Sequence, residues 1–403
     1  MKRSVVVTGM AIHGPDGAGV EAFWDGLISG RPAAHAVQRF PIDHWVYRAR
    51  EGATLETLPP EEGGRAEAAA ERLVLEVAAD VVAAARVQPG DVSRFDVALA
   101  VGSSHSGLSQ RFQTYLRHEE PQPPQHDGAA TRLHSGPWLT SAAEALDVGG
   151  PAMMVSTACT SGTSAVGIAY ELIRGGRALR AYGAGFGYFS EIAFSGFNIL
   201  KLVARNGCRP FDVERDGLML GDGFAMVCLE EEQFARARGA PILARIIGYA
   251  SGNEAYHATA PDPGAETALR VMWGALDRSD ETLARLGYIN AHGTGTLAND
   301  AAEMTAIRRL LERRADPETV AISSTKGHHG HSLGATGTVE FIATVLSVAR
   351  ATAPPNCGLE HPEAAFGGLN LLRAPKRGAI DVAMSNSFAF GGNVAAIAVE
   401  AVR

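Results

Sequence analysis

The chain has 403 residues with a formal net charge of −8, and 46% of its residues are hydrophobic while 20% are charged. This acidic balance argues against a general nucleic-acid binder, which needs a basic face, and the composition excludes a disordered chain. The length predicts two domains or two fused halves rather than one small core.

Cysteine spacing and the N-terminus limit the chemistry further. The four cysteines are widely spaced without a CxxC pair, so we expect neither a metal site nor a disulfide framework. Met1 leads directly into an apolar strand pattern without a signal region, and no run of 18 apolar residues occurs. We therefore expect a cytoplasmic protein without a membrane partner.

Strand and helix patterns alternate along the first 240 residues. A proline-rich excursion covers residues 31–64, a loop covers 118–134, and a turn-rich stretch at 209–229 leads into a strand. Strand patterns lie at 3–12, 95–101, 152–155 and 178–186, and helix patterns at 23–28, 66–87, 166–173 and 232–238.

The pattern restarts after residue 240. Strands are predicted at 242–248, 286–291, 320–324, 381–384 and 394–402, with helices at 267–276, 300–311 and 339–348. Ser156–Gly167 and Ser324–Ala335 are similar in kind, because each has a strand before it and a helix after it. This predicts two related α/β halves, residues 1–240 and 241–403, with the chemistry at strand ends.

Cys159 lies in a turn of small and hydroxyl residues between a predicted strand and a predicted helix. The positive end of a helix dipole favours a thiolate and lowers a thiol pKa, so this position suits a nucleophile. The alternative is a buried structural cysteine, since free cysteine also behaves as a small hydrophobe.

Two further glycine-rich turns at strand ends carry His292 and His331. A cysteine nucleophile with histidines nearby in space is a recurrent arrangement for acyl transfer. Two histidines can also donate hydrogen bonds to a thioester carbonyl as it becomes an enolate. Backbone N–H groups at Cys159 and Phe390 could form an oxyanion hole, and a buried Lys326–Glu340 pair could orient His331.

Five motifs resemble those of the β-ketoacyl-acyl carrier protein synthases, the elongating condensing enzymes of the thiolase-fold superfamily, and the resemblance runs from residue 3 to the C-terminus. The motifs are Thr157-Ala-Cys-Thr-Ser-Gly162, Arg209-Pro-Phe-Asp with Arg215-Asp-Gly and Gly221-Asp-Gly223, Asn290-Ala-His-Gly-Thr-Gly-Thr296, Ser324-Thr-Lys with Gly330-His-Ser-Leu-Gly-Ala335, and Ser385-Asn-Ser-Phe-Ala-Phe-Gly-Gly392.

The resemblance implies a duplicated five-layer αβαβα fold and a dimer. It implies that Cys159 carries the acyl chain, that His292 and His331 assist malonyl decarboxylation, and that Lys326 and Glu340 support them. Phe390 would be the gating residue, and Thr294 and Thr296 would contact a phosphopantetheine arm. The substrates would arrive on an acyl carrier protein, with no other cofactor.

The chain departs from the family pattern at three places. Gly391-Gly-Asn-Val replaces the usual Gly-Gly-Thr-Asn after the gating phenylalanine. The basic patch expected before the first long helix is reduced to Arg65, which leaves Lys201, Arg205 and Arg209 as further candidates for carrier contact. Gln110 and Arg111 fall where the family lines its acyl pocket near the dimer interface. They indicate a substrate unlike a long saturated chain or a pocket floor supplied by a partner subunit, unless they face solvent.

The sequence therefore predicts a decarboxylating condensing enzyme, in a specialised type II polyketide or unusual fatty-acyl pathway. The alternatives are a housekeeping fatty acid ketosynthase and a subunit that shapes the pocket of a catalytic partner. A homodimer and a heterodimer with a chain-length-factor subunit both stay open. The paired histidines argue against a degradative thiolase or an acetyl-CoA-primed synthase.

Overall fold

The structure is a computed structural model that describes residues 3–42, 47–60, 65–104 and 136–402. The main strands of the N-terminal half form from apolar runs that are buried along most of their length, and short two-residue strands lie between them. In order the strands are β1 Val5–Gly14, β2 Gly17–Ala18, β3 His35–Ala36, β4 Glu51–Gly52, β5 Val97–Gly102, β6 Ala152–Val155, β7 Arg180–Gly187 and β8 Gly223–Glu231.

The C-terminal half continues this numbering and has the same mixture of long and short strands. They are β9 Ala244–Asn253, β10 Leu286–Asn290, β11 Ala321–Ser323, β12 Thr352–Ala353, β13 Asn370–Leu371, β14 Lys376–Arg377, β15 Val382–Phe388 and β16 Asn393–Glu400.

Helices connect the strands in both halves, and a few single 3-10 turns lie between them. The α-helices are α1 Val20–Ser29, α2 Arg65–Ala84, α3 Gly136–Ala145, α4 Ser161–Arg174, α5 Glu191–Ile199, α6 Glu232–Ala237, α7 Glu266–Ala275, α8 Asp280–Ala284, α9 Leu297–Leu311, α10 Lys326–His329 and α11 Thr336–Ala349.

The two halves repeat one strand arrangement. In the first half β1, β8 and β7 are antiparallel neighbours, and β5 and β6 continue beside β7 as parallel strands. In the second half β9, β16 and β15 are antiparallel, and β10 and β11 continue beside β15 in parallel. Antiparallel pairing of β1 with β9 joins the two sheets into one, with Val5 opposite Ile246.

Three large apolar clusters show how the layers stack. One cluster packs α2 on the outer face of the first sheet, and another packs α7 and α9 on the outer face of the second. The central cluster joins α4 to α11 between the sheets, for example through Val166, Ala169, Phe341 and Ile342. The order helix, sheet, helix, sheet, helix confirms the duplicated αβαβα prediction.

The strand and helix predictions hold with shifted ends. The helix expected from residue 300 begins at Leu297, and the strand expected at 381–384 extends to Phe388. The excursion before α2 is fixed to the body by Arg39, which forms a buried pair with both carboxylate oxygens of Asp222 at 2.9 and 2.5 Å. The division at residue 240 stays a prediction, because the halves share a sheet and a core.

Candidate active site

Cys159 lies in the turn between the end of β6 and the start of α4. Ala158, just before it, has a φ of 51°, a left-handed conformation that is strained for a residue with a side chain. The Ser161 hydroxyl stabilises the turn by donating to the Ala158 carbonyl at 2.6 Å and accepting from the Thr157 N–H at 2.9 Å. The strained turn presents a nearly buried thiol, 9% exposed, at a helix N-terminus.

The thiol pKa differs from the sequence prediction. The helix N-terminus suggested a lowered value, but burial has the largest effect and raises the pKa of Cys159 to about 11. The charge of Lys326 and the N–H groups of Cys159 and Phe390 oppose this rise. The low-pKa prediction is therefore wrong, and the thiol has to lose its proton to a base as it reacts.

Cys159, His292, His331 and Phe390 line one cleft of about 520 Å³. Cys159 follows β6 of the first half, whereas His292 and Phe390 follow β10 and β15, which are parallel neighbours in the second half. His331 lies after β11 and the short helix α10. The imidazole rings of His292 and His331 meet edge to face, with centroids 5.5 Å apart. The fold thus brings together three reactive side chains that are far apart in sequence.

His331 has a defined tautomer. Its Nδ1 accepts a hydrogen bond from the backbone N–H of Leu333 at 3.0 Å and lies 2.8 Å from the Thr336 hydroxyl. An Nδ1 that accepts leaves the proton of the neutral ring on Nε2. His331 is therefore set up as a donor through Nε2.

His292 is buried in a neutral state. Burial, the charge of Lys326 and the neighbouring His331 lower its pKa well below the usual value. Its Nδ1 is buried without a hydrogen-bond partner among the described residues. A buried polar atom without a partner is costly, so this nitrogen is a candidate for contact with a bound molecule.

The Lys326–Glu340 pair is fully buried, with Nζ and Oε1 2.5 Å apart. Lys326 also donates to the backbone carbonyl of His292. The sequence suggested that this pair orients His331, whereas in the structure Lys326 contacts the backbone of the turn that carries His292. Burial raises the pKa of Glu340 to about 7, against the opposing effect of the Lys326 charge.

Glu303 is a further site residue that the sequence reasoning missed. Its carboxylate accepts the backbone N–H of His292 at 2.7 Å and that of Gly293 at 2.8 Å. Burial raises its pKa to about 7, while these two N–H groups act to lower it. The available signal was an acidic residue on the apolar face of α9, one position before Met304 and four before Ile307.

The entrance side of the cleft carries the remaining predicted residues. The hydroxyls of Thr294 and Thr296 lie 2.9 Å apart, and both residues line the cleft. The Phe390 ring stacks on Phe197 with centroids 5.7 Å apart. Asn393, the departure from the family pattern, accepts a hydrogen bond from the Asn253 side chain at 3.2 Å and so joins the Phe390 turn to the end of β9.

The predicted docking cations differ in their surroundings. Lys201 lines the cleft and belongs to no ion pair among the described residues. Arg205 lies 3.9 Å from Asp216, and Arg209 lies 3.3 Å from Glu214. Arg65 begins α2 and does not line the cleft. Gln110 and Arg111 lie outside the described residues.

The family models match both halves of the chain. The beta-ketoacyl synthase N-terminal domain matches residues 2–235, and the beta-ketoacyl synthase C-terminal domain matches residues 243–360. The chain belongs to the β-ketoacyl synthase family. This confirms the resemblance that the five motifs carried.

Relatives of this ketosynthase family member come from two kinds of pathway. It is 33% identical over 410 residues to the tetracenomycin polyketide synthase ketoacyl synthase alpha subunit of Streptomyces glaucescens, covering 97% of this chain and 95% of the relative. It is 32% identical over 408 residues to 3-oxoacyl-[acyl-carrier-protein] synthase 2 of Synechocystis sp., covering 97% and 96%. Among solved structures it resembles the ishigamide ketosynthase/chain length factor, with a TM-score of 0.88, 27% identity and full coverage of both chains.

The described residues contain neither a candidate metal cluster nor a helix that could cross a membrane. Among the described residues, no group of three or more His, Cys, Asp or Glu side chains is placed to hold a metal ion. Within the same ranges, no helix is both long and apolar enough to span a membrane. All four cysteines are buried and free of disulfides.

Proposed function

We propose that this ketosynthase catalyses decarboxylative Claisen condensation of a malonyl thioester with an acyl chain held on Cys159. The observation that supports this most is the cleft in which a thiol at a helix N-terminus meets two buried imidazoles. Both substrates arrive on the phosphopantetheine of an acyl carrier protein, and no further cofactor takes part. The cytoplasmic location expected from the sequence stays a prediction.

The first half-reaction is transfer of the acyl group. The Cys159 sulfur attacks the thioester carbonyl, its proton passes to the pantetheine thiolate that leaves, and a new thioester forms on Sγ. In this proposal the N–H groups of Cys159 and Phe390 stabilise the oxyanion of the tetrahedral intermediate. Both N–H groups already lie close enough to Sγ to oppose the rise of its pKa.

The second half-reaction uses the two histidines. The bond between the malonyl carboxylate and C2 breaks, carbon dioxide leaves, and the electron pair forms an enolate of the thioester. Nε2–H of His331 and the neutral ring of His292 donate to the enolate oxygen. C2 then attacks the acyl carbonyl on Cys159, the bond between that carbonyl and Sγ breaks, and the released thiolate takes a proton from solvent.

Within this mechanism the surrounding charges have positioning roles. Lys326 and Glu303 hold the His292 turn through its carbonyl and its N–H, and Glu340 neutralises Lys326. Thr294 and Thr296 would contact the pantetheine arm at the entrance. Phe390, stacked on Phe197, would gate access to the thiol.

A specialised polyketide or unusual fatty-acyl pathway is the proposed setting, with housekeeping fatty acid elongation as the alternative. A partnered dimer also has support, because one relative is named an alpha subunit and one similar structure is a ketosynthase/chain length factor. Condensation by the purified chain alone would favour a homodimer, whereas activity only with a second subunit would establish the partnered form.

The test separates the two half-reactions. Incubation with an acyl thioester donor should add the acyl mass to the peptide containing Cys159, as measured by mass spectrometry, and Cys159→Ala should abolish it. Labelling that persists in Cys159→Ala would refute the nucleophile assignment.

His292→Ala and His331→Ala should lower the rate of malonyl decarboxylation by about 10²- to 10⁴-fold, which is the range for loss of an acid–base or electrostatic group. Acylation should fall much less. His361→Ala, on an exposed side chain, is the control and should match the wild type. An equal loss in both half-reactions would contradict the enolate role.

A further inference from the structure

Two large aliphatic side chains that line the cleft are exposed, and a third exposed one directly precedes the first of them in the chain. Ile199 at the end of α5 is 77% exposed, the following Leu200 is 50% exposed, and Leu297 at the start of α9 is 63% exposed. Leu200 and Leu297 line the cleft that leads to Cys159. Exposed aliphatic side chains that adjoin one another are typical of a surface that a partner covers.

Three arginines near the cleft-lining Asp216 are paired with carboxylates of the chain, and Arg48 and Arg205 share one of them. Asp216 lies between Arg48, at 3.1 Å, and Arg205, at 3.9 Å, and Glu214 pairs with Arg209 at 3.3 Å. Glu214 is also 70% exposed. A strongly acidic partner would therefore meet carboxylates beside the arginines, which reduces steering by charge.

Lys201 is the exception among the cations of this region that the structure describes. It follows Leu200 directly, lines the cleft, and belongs to no ion pair among the described residues. Its ammonium group can meet one carboxylate of a partner next to the apolar contacts.

We propose that the carrier protein docks on this entrance mainly through apolar contact, with Ile199, Leu200 and Leu297 receiving an apolar patch of the carrier. Lys201 adds one ion pair to the contact. This inference rests on the proposed function, because a carrier has to cover the entrance for its arm to reach Cys159. It differs from the sequence analysis, which named only the cations Arg65, Lys201, Arg205 and Arg209 as candidates for carrier contact.

The test compares two octanoyl donors at Cys159. One is octanoyl-pantetheine, which needs no docking, and the other is an octanoylated acyl carrier protein from a bacterial type II fatty acid synthase. The measured quantity is the ratio of kcat/KM for the carrier to kcat/KM for pantetheine. Ile199→Ser and Leu297→Ser should each lower this ratio about tenfold or more, as expected for central apolar contacts.

A control variant, Lys201→Ala and the salt dependence of the ratio test the apolar character of the contact. Phe95→Ser removes an aromatic side chain that is 72% exposed, in the 3-10 turn Arg94–Asp96 that precedes β5, and should leave the ratio unchanged. Lys201→Ala should lower it about two- to threefold, and raising the salt from 0.05 to 0.5 M should change it less than about threefold. Thermal melts check that each variant is folded.

Each adverse outcome has its own meaning. Unchanged ratios in Ile199→Ser and Leu297→Ser, or a loss above tenfold with salt, would overturn apolar docking. Acylation by octanoyl-pantetheine without any from the carrier would also count against it, while leaving the proposed chemistry intact. Acylation of Cys159 by neither donor would instead contradict the proposed function.

Discussion

Cys159 combines a reactive position with an environment that disfavours its charge. The turn places Sγ near two N–H groups and a helix N-terminus, yet burial outweighs them and raises the pKa of the thiol to about 11. A resting thiolate is therefore scarce at neutral pH. The sulfur stays protonated until a thioester and a base meet it in the cleft.

This pKa predicts how Cys159 responds to an alkylating reagent. Because the folded-state pKa lies above the usual thiol value, the thiolate fraction rises about tenfold for each pH unit between 7 and 10. The rate of iodoacetamide addition at Cys159, followed by mass spectrometry, should rise in the same proportion. Cys159→Ala measures the background from the other cysteines, whose burial raises each thiol pKa to about 12. A plateau near pH 7 would contradict the raised value.

At the scale of elements, the contact between α4 and α11 fixes the turn that holds Cys159. Gly162 lies in the first turn of α4, where an added Cβ would come within 2.7 Å of the backbone nitrogen of Thr338 in α11. Backbone cannot move aside as a flexible side chain can. The close approach of the two central helices therefore depends on this glycine.

Gly162→Ala should destabilise the protein by about 1–3 kcal/mol, the usual cost of overpacking a tight contact. Gly196→Ala is the matched control, since Gly196 is also helical but its added Cβ meets nothing within 4 Å. That control should be neutral or stabilise by up to about 1 kcal/mol, the difference in helix propensity. Urea unfolding measures both free energies, and equal values for the two variants would show that the helices separate easily.

The sequence predicted most elements because their apolar residues recur at strand or helix spacing. The sequence pattern did not predict α5, because only Ala193, Phe194 and Asn198 are buried among its 9 residues. Motif residues such as Cys159 and His331 were identifiable by their glycine-rich turns. Burial and pairing were not visible in the sequence, so the thiol pKa, the role of Glu303 and the ion pairs of Arg205 and Arg209 emerged only from the fold.

At the scale of the whole molecule, the two halves belong to one polypeptide, share one continuous sheet and share one apolar core. β1 pairs with β9 across the junction, and the central cluster takes residues from both α4 and α11. Removing either half would expose the apolar face of the other. We therefore expect the chain to unfold as one unit although it was predicted to divide at residue 240.

Two single-tryptophan variants test this cooperativity. One retains Trp24, buried on α1 in the first half, and the other retains Trp273 on α7 in the second half. Fluorescence should report the same urea midpoint from both, because independent halves would not share a core. Midpoints that differ by more than about 0.5 M, outside the usual extrapolation error, would show that the halves are separate domains.

Cys159 and His331 occupy corresponding places in the repeated arrangement. Each follows an outer parallel strand, β6 or β11, and each precedes a central helix, α4 or α11. An assembly of two identical halves would carry the same side chain at both turns. Joining the halves in a single polypeptide removes that constraint. Selection can then optimise a nucleophilic sulfur in one turn and a proton donor in the other independently.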